Sequence, residues 1–175
     1  MILENFQLKL AELLNALLIH FGFLGLFVAA IIANATVFLP LPLDAFIFFA
    51  AGLFVPFGIL SPLIIALVVG AGSAIGELSS YFAGYFGKQT IEKVRALHIA
   101  PPDEIIKMLH AKGCIFIFLG AFTPFPFDVI GIVAGILKYN IKKFVVACFA
   151  GKFLRYLIIS YAGYLGIEAI KAFLL

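Results

Sequence analysis

Charge is scarce in this chain of 175 residues: 12% are Asp, Glu, Lys or Arg and 65% are hydrophobic, against roughly 25% and 45–50% in soluble domains. That balance excludes an ordinary soluble globular protein. Only two cysteines are present, Cys114 and Cys148, both in apolar surroundings without metal-ligand spacing, so neither a disulfide framework nor a thiolate metal site is expected. No basic block accompanies the net charge of +3, and with it goes the electrostatic footprint of a nucleic-acid binder. A cleavable leader is not expected, because Glu4 and Glu12 flank the start where a basic region belongs and no small-residue site closes a short apolar core. No His-Glu-x-x-His, Gly-rich phosphate loop or nucleophile with its base stands out, so the expectation is a non-enzyme with no cofactor. His98 and His110 lie twelve residues apart with no acidic or cysteine partner at ligand spacing, and no metal is expected there.

What the chain has is apolar length. No Asp, Glu, Lys or Arg occurs from Leu13 to Leu43, nor from Ala45 to Gly76, and each run exceeds the ~20 apolar residues that cross a bilayer core. The chain reads as one integral domain over residues 1–175, all-α, polytopic and seated in the cell membrane. Membrane lipids are its first expected partners.

A long-period repeat organises it. Phe38-Leu-Pro40-Leu-Pro42-Leu-Asp44 returns 84 residues later as Phe122-Thr-Pro124-Phe-Pro126-Phe-Asp128, and each is followed by an apolar stretch ending in Ala-Gly, at Ala51-Gly52 and Ala134-Gly135. Further on, Gly76-Glu77 with Tyr81 corresponds to Gly151-Lys152 with Tyr156. Repeat 1 is placed at about 4–87, an amphipathic connector at about 88–112, and repeat 2 at about 113–170.

Two prolines separated by one residue remove two backbone donors and push the residues before them out of the α region. No continuous helix is therefore expected through Pro40 and Pro42, or through Pro124 and Pro126. The apolar pieces after the breaks, Ala45 to Phe54 and Val129 to Leu137, are too short to span. They read as return legs of two re-entrant helical hairpins, whose tips meet inside the protein because broken backbone at membrane depth must be buried or line a wet cavity. Two long transmembrane helices are expected, roughly Leu60 to Gly87 and Ile141 to Ile167, about 40 Å each; whether the segment over residues 20–38 also spans stays open, and a full crossing there would move the amino terminus inside and leave the middle where it is. Between them, Lys88 to Lys143 holds eight lysines and arginines while the termini hold Lys9 and Lys171, which puts residues 88–112 in the cytoplasm. The odd number of crossings between the halves makes the repeat an inverted one, a plan common among secondary transporters. Around Ala100-Pro101-Pro102 the connector reads as two short surface helices, with Asp103 and Glu104 at a helix amino terminus; Asn5 to His20 reads as an interfacial helix.

Five charges fall in otherwise apolar segments: Asp44, Glu77, Asp128, Lys152 and Arg155. Each costs at least ~2.5–3.5 kcal/mol at the centre of a membrane helix, so each should be paired or face a water-filled cavity. Asp44 and Asp128 are placed either to cap the helices after the breaks or, where the tips meet, to share a proton. Glu77 is placed to bridge Lys152 or Arg155, which are also the cations to attract a phosphate; arginine is the better fork for it. Tyr81 and Tyr156 stand near these charges, as donors to the same group or as interfacial anchors. Gly72-x-x-x-Gly76 is a close-packing motif.

The ordered pattern of Pro-x-Pro-x-Asp, Ala-Gly, Gly72-x-x-x-Gly76, Tyr81-x-x-Gly84-x-x-Gly87, the second proline segment with its Ala-Gly, and the Gly151 to Arg155 region resembles the DedA family, also called the SNARE-associated Golgi or VTT-domain family, over about residues 20 to 168. The resemblance implies an integral membrane protein with two re-entrant hairpins whose relatives move lipids between leaflets. Bacterial relatives are linked to undecaprenyl phosphate or phosphatidylethanolamine and to the proton-motive force, and eukaryotic ones look like scramblases. Carried over, Asp44 is the acid after the first proline segment. Asn34 stands where many bacterial members carry a second acid, and Ala121 and Phe127 stand near positions that are often arginine. Arg155 is our candidate for the missing positive charge. The expected function is translocation of a lipid phosphate head group, as a flippase or scramblase with protons as the coupling ion. A proton- or sodium-coupled small-solute transporter and a non-transporting scaffold with closed charge bridges stay open, and a homodimer is expected on the small number of crossing helices.

Overall fold

The computed structural model describes residues 2–35, 43–87, 103–124 and 126–174. Pro40, Pro42 and residues 88–102 lie outside the described residues; so do the first break itself and most of the connector. The described residues form seven α-helices: α1 (Ile2–Ala35), α2 (Leu43–Leu53), α3 (Ser61–Gly76), α4 (Leu78–Phe86), α5 (Asp103–Phe122), α6 (Phe127–Ile136) and α7 (Ile141–Leu174), with a 3-10 turn at Gly58–Leu60 before α3. Asp103 does open a helix, but that helix does not stop at the connector. It kinks at Lys112, where φ is −143° and ψ 47°, and continues to Phe122. A matching kink divides α1 at Gly22, where φ is +55° and an added Cβ would stand 3.2 Å from the Phe54 ring. Glycine alone suits both that angle and that approach.

Two expectations need correcting. The single helix expected from Leu60 to Gly87 is two helices that meet at Glu77. Ser80 Oγ donates to the Glu77 carbonyl at 2.8 Å, sharing it with the helical ladder. The bonds Glu77 N to Ser73 O (2.9 Å) and Tyr81 N to Glu77 O (3.2 Å) carry the chain across, so α3 and α4 act as one apolar crossing, Gly58–Phe86. Among the described residues there are also three helices long and apolar enough to cross a membrane rather than two, the third being Leu18–Ala35, in the segment before Pro40. Before the second break, Ala111–Phe122 is a shorter apolar helix among the described residues.

The two long crossings form the centre. Contacts of Glu77 with Lys152, Ser73 with Tyr156 and Ser160 with the Pro62 carbonyl put α3 antiparallel to α7. Each crossing uses one end for the lead-in helix of its own half and the other for the short helix of the opposite half. Gly72 and Gly76 of α3 lie so close to α1 that a Cβ would come within 2.5 Å of the Phe27 carbonyl oxygen and 2.6 Å of that of Ile31; Gly151 of α7 meets the Phe118 carbonyl of α5 in the same way. At the other ends, Gly84 of α4 meets the Ile132 carbonyl of α6, and Gly163 of α7 meets the Phe48 carbonyl of α2. Small residues at these crossings let backbones approach where lipid supplies no hydrophobic drive. The two buried clusters are likewise exchanged: Tyr81 sits with Ile117, Ile130 and Phe144, whereas Tyr156 sits with Leu26, Ile47 and Ile65.

The short helices α2 and α6 have 11 and 10 residues, about 15 Å at 1.5 Å per residue, half of a ~30 Å hydrocarbon core. Asp44 and Asp128 are each the second residue of their helix, in the first turn. The capping expectation fails for Asp128, because the capping position before α6 is Pro126, which has no side-chain bond to give. An acid in the first turn still gains from the helix dipole. The end of α6 is a Schellman turn, with Lys138 N donating to Gly135 O (2.9 Å) and Tyr139 N to Ala134 O (2.8 Å). Lys138 occupies the left-handed position at φ +52°. Asn140 then caps α7, its Oδ1 accepting from Lys143 N at 3.1 Å.

Candidate functional site: a charged network between the crossings

Glu77 and Lys152 hold corresponding places in the two sequence halves, and the antiparallel crossings turn them toward each other. Lys152 Nζ lies 2.7 Å from Glu77 Oε1, with the two side chains only 7% and 4% exposed. The same ammonium donates to Asn34 Oδ1 at 2.9 Å and stands 5.5 Å over the Phe127 ring. Two hydrogen bonds and a ring face thus take up the donor capacity of a buried cation. Asn34 passes the network on, its amide donating to Ser73 Oγ at 3.0 Å and to the Ala30 carbonyl at 2.8 Å, and Ser73 Oγ is 3.3 Å from the Tyr156 hydroxyl.

Arg155 sits almost one turn further along α7 and reaches the start of α2 and the end of α5. Its Nη2 pairs with Asp44 Oδ2, and its Nη1 donates to the Thr123 carbonyl at 2.7 Å. One guanidinium therefore ties the start of α2 to the chain just beyond α5, where a helix end leaves carbonyls without partners. Access changes sharply along this network. Asp44 is 43% exposed and Arg155 17%, against single figures for Glu77 and Lys152.

Of the residues proposed from sequence, the fold brings Glu77, Lys152 and Tyr156 into the inner network and Asp44 with Arg155 into the outer pair. Asp128 stands in the first turn of α6, and its charge acts on Glu77. The Tyr81 hydroxyl is engaged elsewhere, donating to the Tyr139 carbonyl at 2.5 Å, while its ring lies against Phe144 at 5.1 Å. Pro124 and Pro126 flank the turn into α6. Two participants are missing from the sequence reading of the site. Asn34 shows there only as a departure from a family pattern, although an amide in a charge-free apolar run is itself a signal; Thr123 acts through its carbonyl, which no side-chain pattern reveals.

The VTT domain family model matches residues 39–165. This chain belongs to the VTT-domain family. The match begins beyond Asn34 and takes in Asp44, Glu77, Asp128, Lys152 and Arg155. Family membership and three apolar helices of crossing length make this VTT-domain chain a membrane protein. It is 23% identical over 100 residues to an uncharacterized protein of Haemophilus influenzae, covering 54% of this chain and 50% of that one; the matched segment spans half the length of that relative. No solved structure matches the chain.

Proposed function

We propose that this VTT-domain protein moves a phosphate-bearing lipid between leaflets, the head group passing along the charged network while the tails stay in lipid. The observation that carries this reading is Arg155, a guanidinium held between the start of α2 and the end of α5 by a half-exposed carboxylate and one carbonyl. A phosphate is a better partner for that planar fork than a single carboxylate oxygen, and the first turns of α2 and α6 add the positive end of the helix dipole. Lys152 stands behind as a second cation, balanced by Glu77. The antiparallel crossings and exchanged packing support reading the two halves as an inverted repeat, with α2 and α6 as return legs of re-entrant hairpins and the site near the midplane. The lysine excess supports a cytoplasmic connector over residues 88–112.

Reconstitution in liposomes with a head-group-labelled lipid, polyprenyl phosphate or phosphatidylethanolamine, tests the proposal. Wild type is expected to move label out of the outer leaflet, and Arg155→Ala and Asp44→Asn to lose that movement while still folded. Wild type that moves none of these lipids would set the small-solute reading in its place.

A further inference from the structure

The corner between α6 and α7 carries charge that the fold does not ask for. Lys138, Lys142 and Lys143 are exposed there, and exposed Lys112 joins them from the kink of α5: a Cβ on Gly113 would come 2.5 Å from the Tyr139 ring, and Cys114 Sγ lies 3.2 Å from the Tyr139 hydroxyl. The Tyr81 hydroxyl fixes the same corner from α4 through the Tyr139 carbonyl. Lys142 and Lys143 stand in the first turn of α7, where the helix dipole disfavours cations, and Lys138 takes a left-handed angle that suits glycine. Ion pairs among the described residues engage Lys152 and Arg155; none engages these four lysines.

The corresponding corner of the first half does without charge. There the α1 kink at Gly22 meets Phe54, Phe23 stacks on Phe57 with ring centroids 6.0 Å apart, and no Asp, Glu, Lys or Arg occurs from Ala45 to Gly76. One half closes its turn on apolar residues, so the lysines of the other answer to something outside the chain. Their place on α7 shows what. Val146 is 67% exposed, which on a membrane-crossing helix means contact with lipid, and it lies one turn below Lys142 and Lys143 on the same face. Across the corner Ile115, just beyond the Lys112 kink, is 56% exposed. Ammonium groups one turn above lipid-facing side chains stand at the level of the head groups, their stems along the acyl chains.

We propose that this corner binds anionic phospholipid head groups of the adjoining leaflet, the ammonium groups of Lys112, Lys138, Lys142 and Lys143 pairing with their phosphates. A lipid suits it better than a soluble anion, because acyl chains lie along Val146 and Ile115 while the phosphate meets the lysines. The binding offsets what the lysines cost the fold at the helix start and in the left-handed turn. The site is separate from Arg155, which is twelve residues or about 18 Å further along α7 than Lys143, and it does not rest on the transport reading.

The chain contains no tryptophan, so a single one placed at Val146 reports on the lipid beside the corner. The full chain carrying Val146→Trp is reconstituted in phosphatidylcholine nanodiscs, and its fluorescence is quenched with brominated phosphatidylglycerol or brominated phosphatidylcholine. Phosphatidylglycerol is expected to hold that place at least about fivefold better, the gain of one lysine near a phosphate surface. Changing Lys112, Lys138, Lys142 and Lys143 together to Gln should bring the ratio close to one. Ile158→Trp, on a lipid-exposed position of α7 about 18 Å away, should give a ratio close to one with all four lysines present. Equal quenching by the two lipids at Val146→Trp, a preference that survives loss of the lysines, or the same preference at Ile158→Trp overturns the proposal. A preference abolished by inorganic phosphate but not by chloride at equal ionic strength would overturn it in favour of a soluble anion. The comparison of the two reporter positions stands even where the fourfold variant does not fold.

Discussion

Lys152 shows how a single residue binds the fold to its chemistry. Its ammonium is buried and bonded to Glu77 and Asn34, so truncating it leaves a carboxylate stranded in a dry interior. Lys152→Met is expected to destabilise the protein by about 3–5 kcal/mol, whereas Glu77→Gln with Lys152→Met together should recover most of that loss, because the cost lies in the unpaired charge. Thermal unfolding of the three proteins in one detergent measures it. Arg155 separates charge from geometry: Arg155→Lys keeps the charge and loses the fork. About tenfold weaker head-group binding is expected, equal to ~1.4 kcal/mol, read from titration with a water-soluble short-chain phospholipid. Sequence alone identifies all five charges of the apolar segments, since each interrupts an apolar run. It does not determine the pairing, because Glu77 has Lys152 and Arg155 both within a turn of each other on the facing helix.

At the scale of elements, the second break is legible because proline chemistry is local, and so is the start of α5 at Asp103. The division at Glu77 and the kink at Lys112 are not, since both are small departures that neighbouring helices hold in place. Lys138 is an element-level misfit of another kind. An exposed lysine in the left-handed position of a Schellman turn carries a strain of about 1–2 kcal/mol that glycine avoids. Lys138→Gly should therefore raise stability by about 1 kcal/mol in chemical denaturation, with no change in the helical signal. Gly84→Val and Gly163→Val should do the reverse, since each Cβ would press on a backbone carbonyl of the facing short helix; loss of the folded peak in size-exclusion chromatography checks it.

For the molecule as a whole the testable property is orientation. Cys114 is exposed and lies near the Tyr139 corner, and Cys148 is buried, so the native chain carries one accessible thiol close to the connector. A membrane-impermeant maleimide should label Cys114 only after the cells are opened; labelling in intact cells would reverse the topology derived from the lysine excess. The excess itself is readable without a structure, because orientation follows the number of lysines and arginines on each side.

Composition and run length by themselves determined that this is a helical membrane protein, and the second proline segment determined where α5 gives way to α6. Those are consequences of transfer free energy and of missing backbone donors, which act residue by residue. Only the tertiary structure decided that each crossing carries the short helix of the other half, that Glu77 takes Lys152 while Arg155 takes Asp44, and that Asn34 and the Thr123 carbonyl complete the network. Such choices depend on which backbones come close enough at their glycines, and groups 32 to 118 residues apart in the chain meet only when both halves have packed.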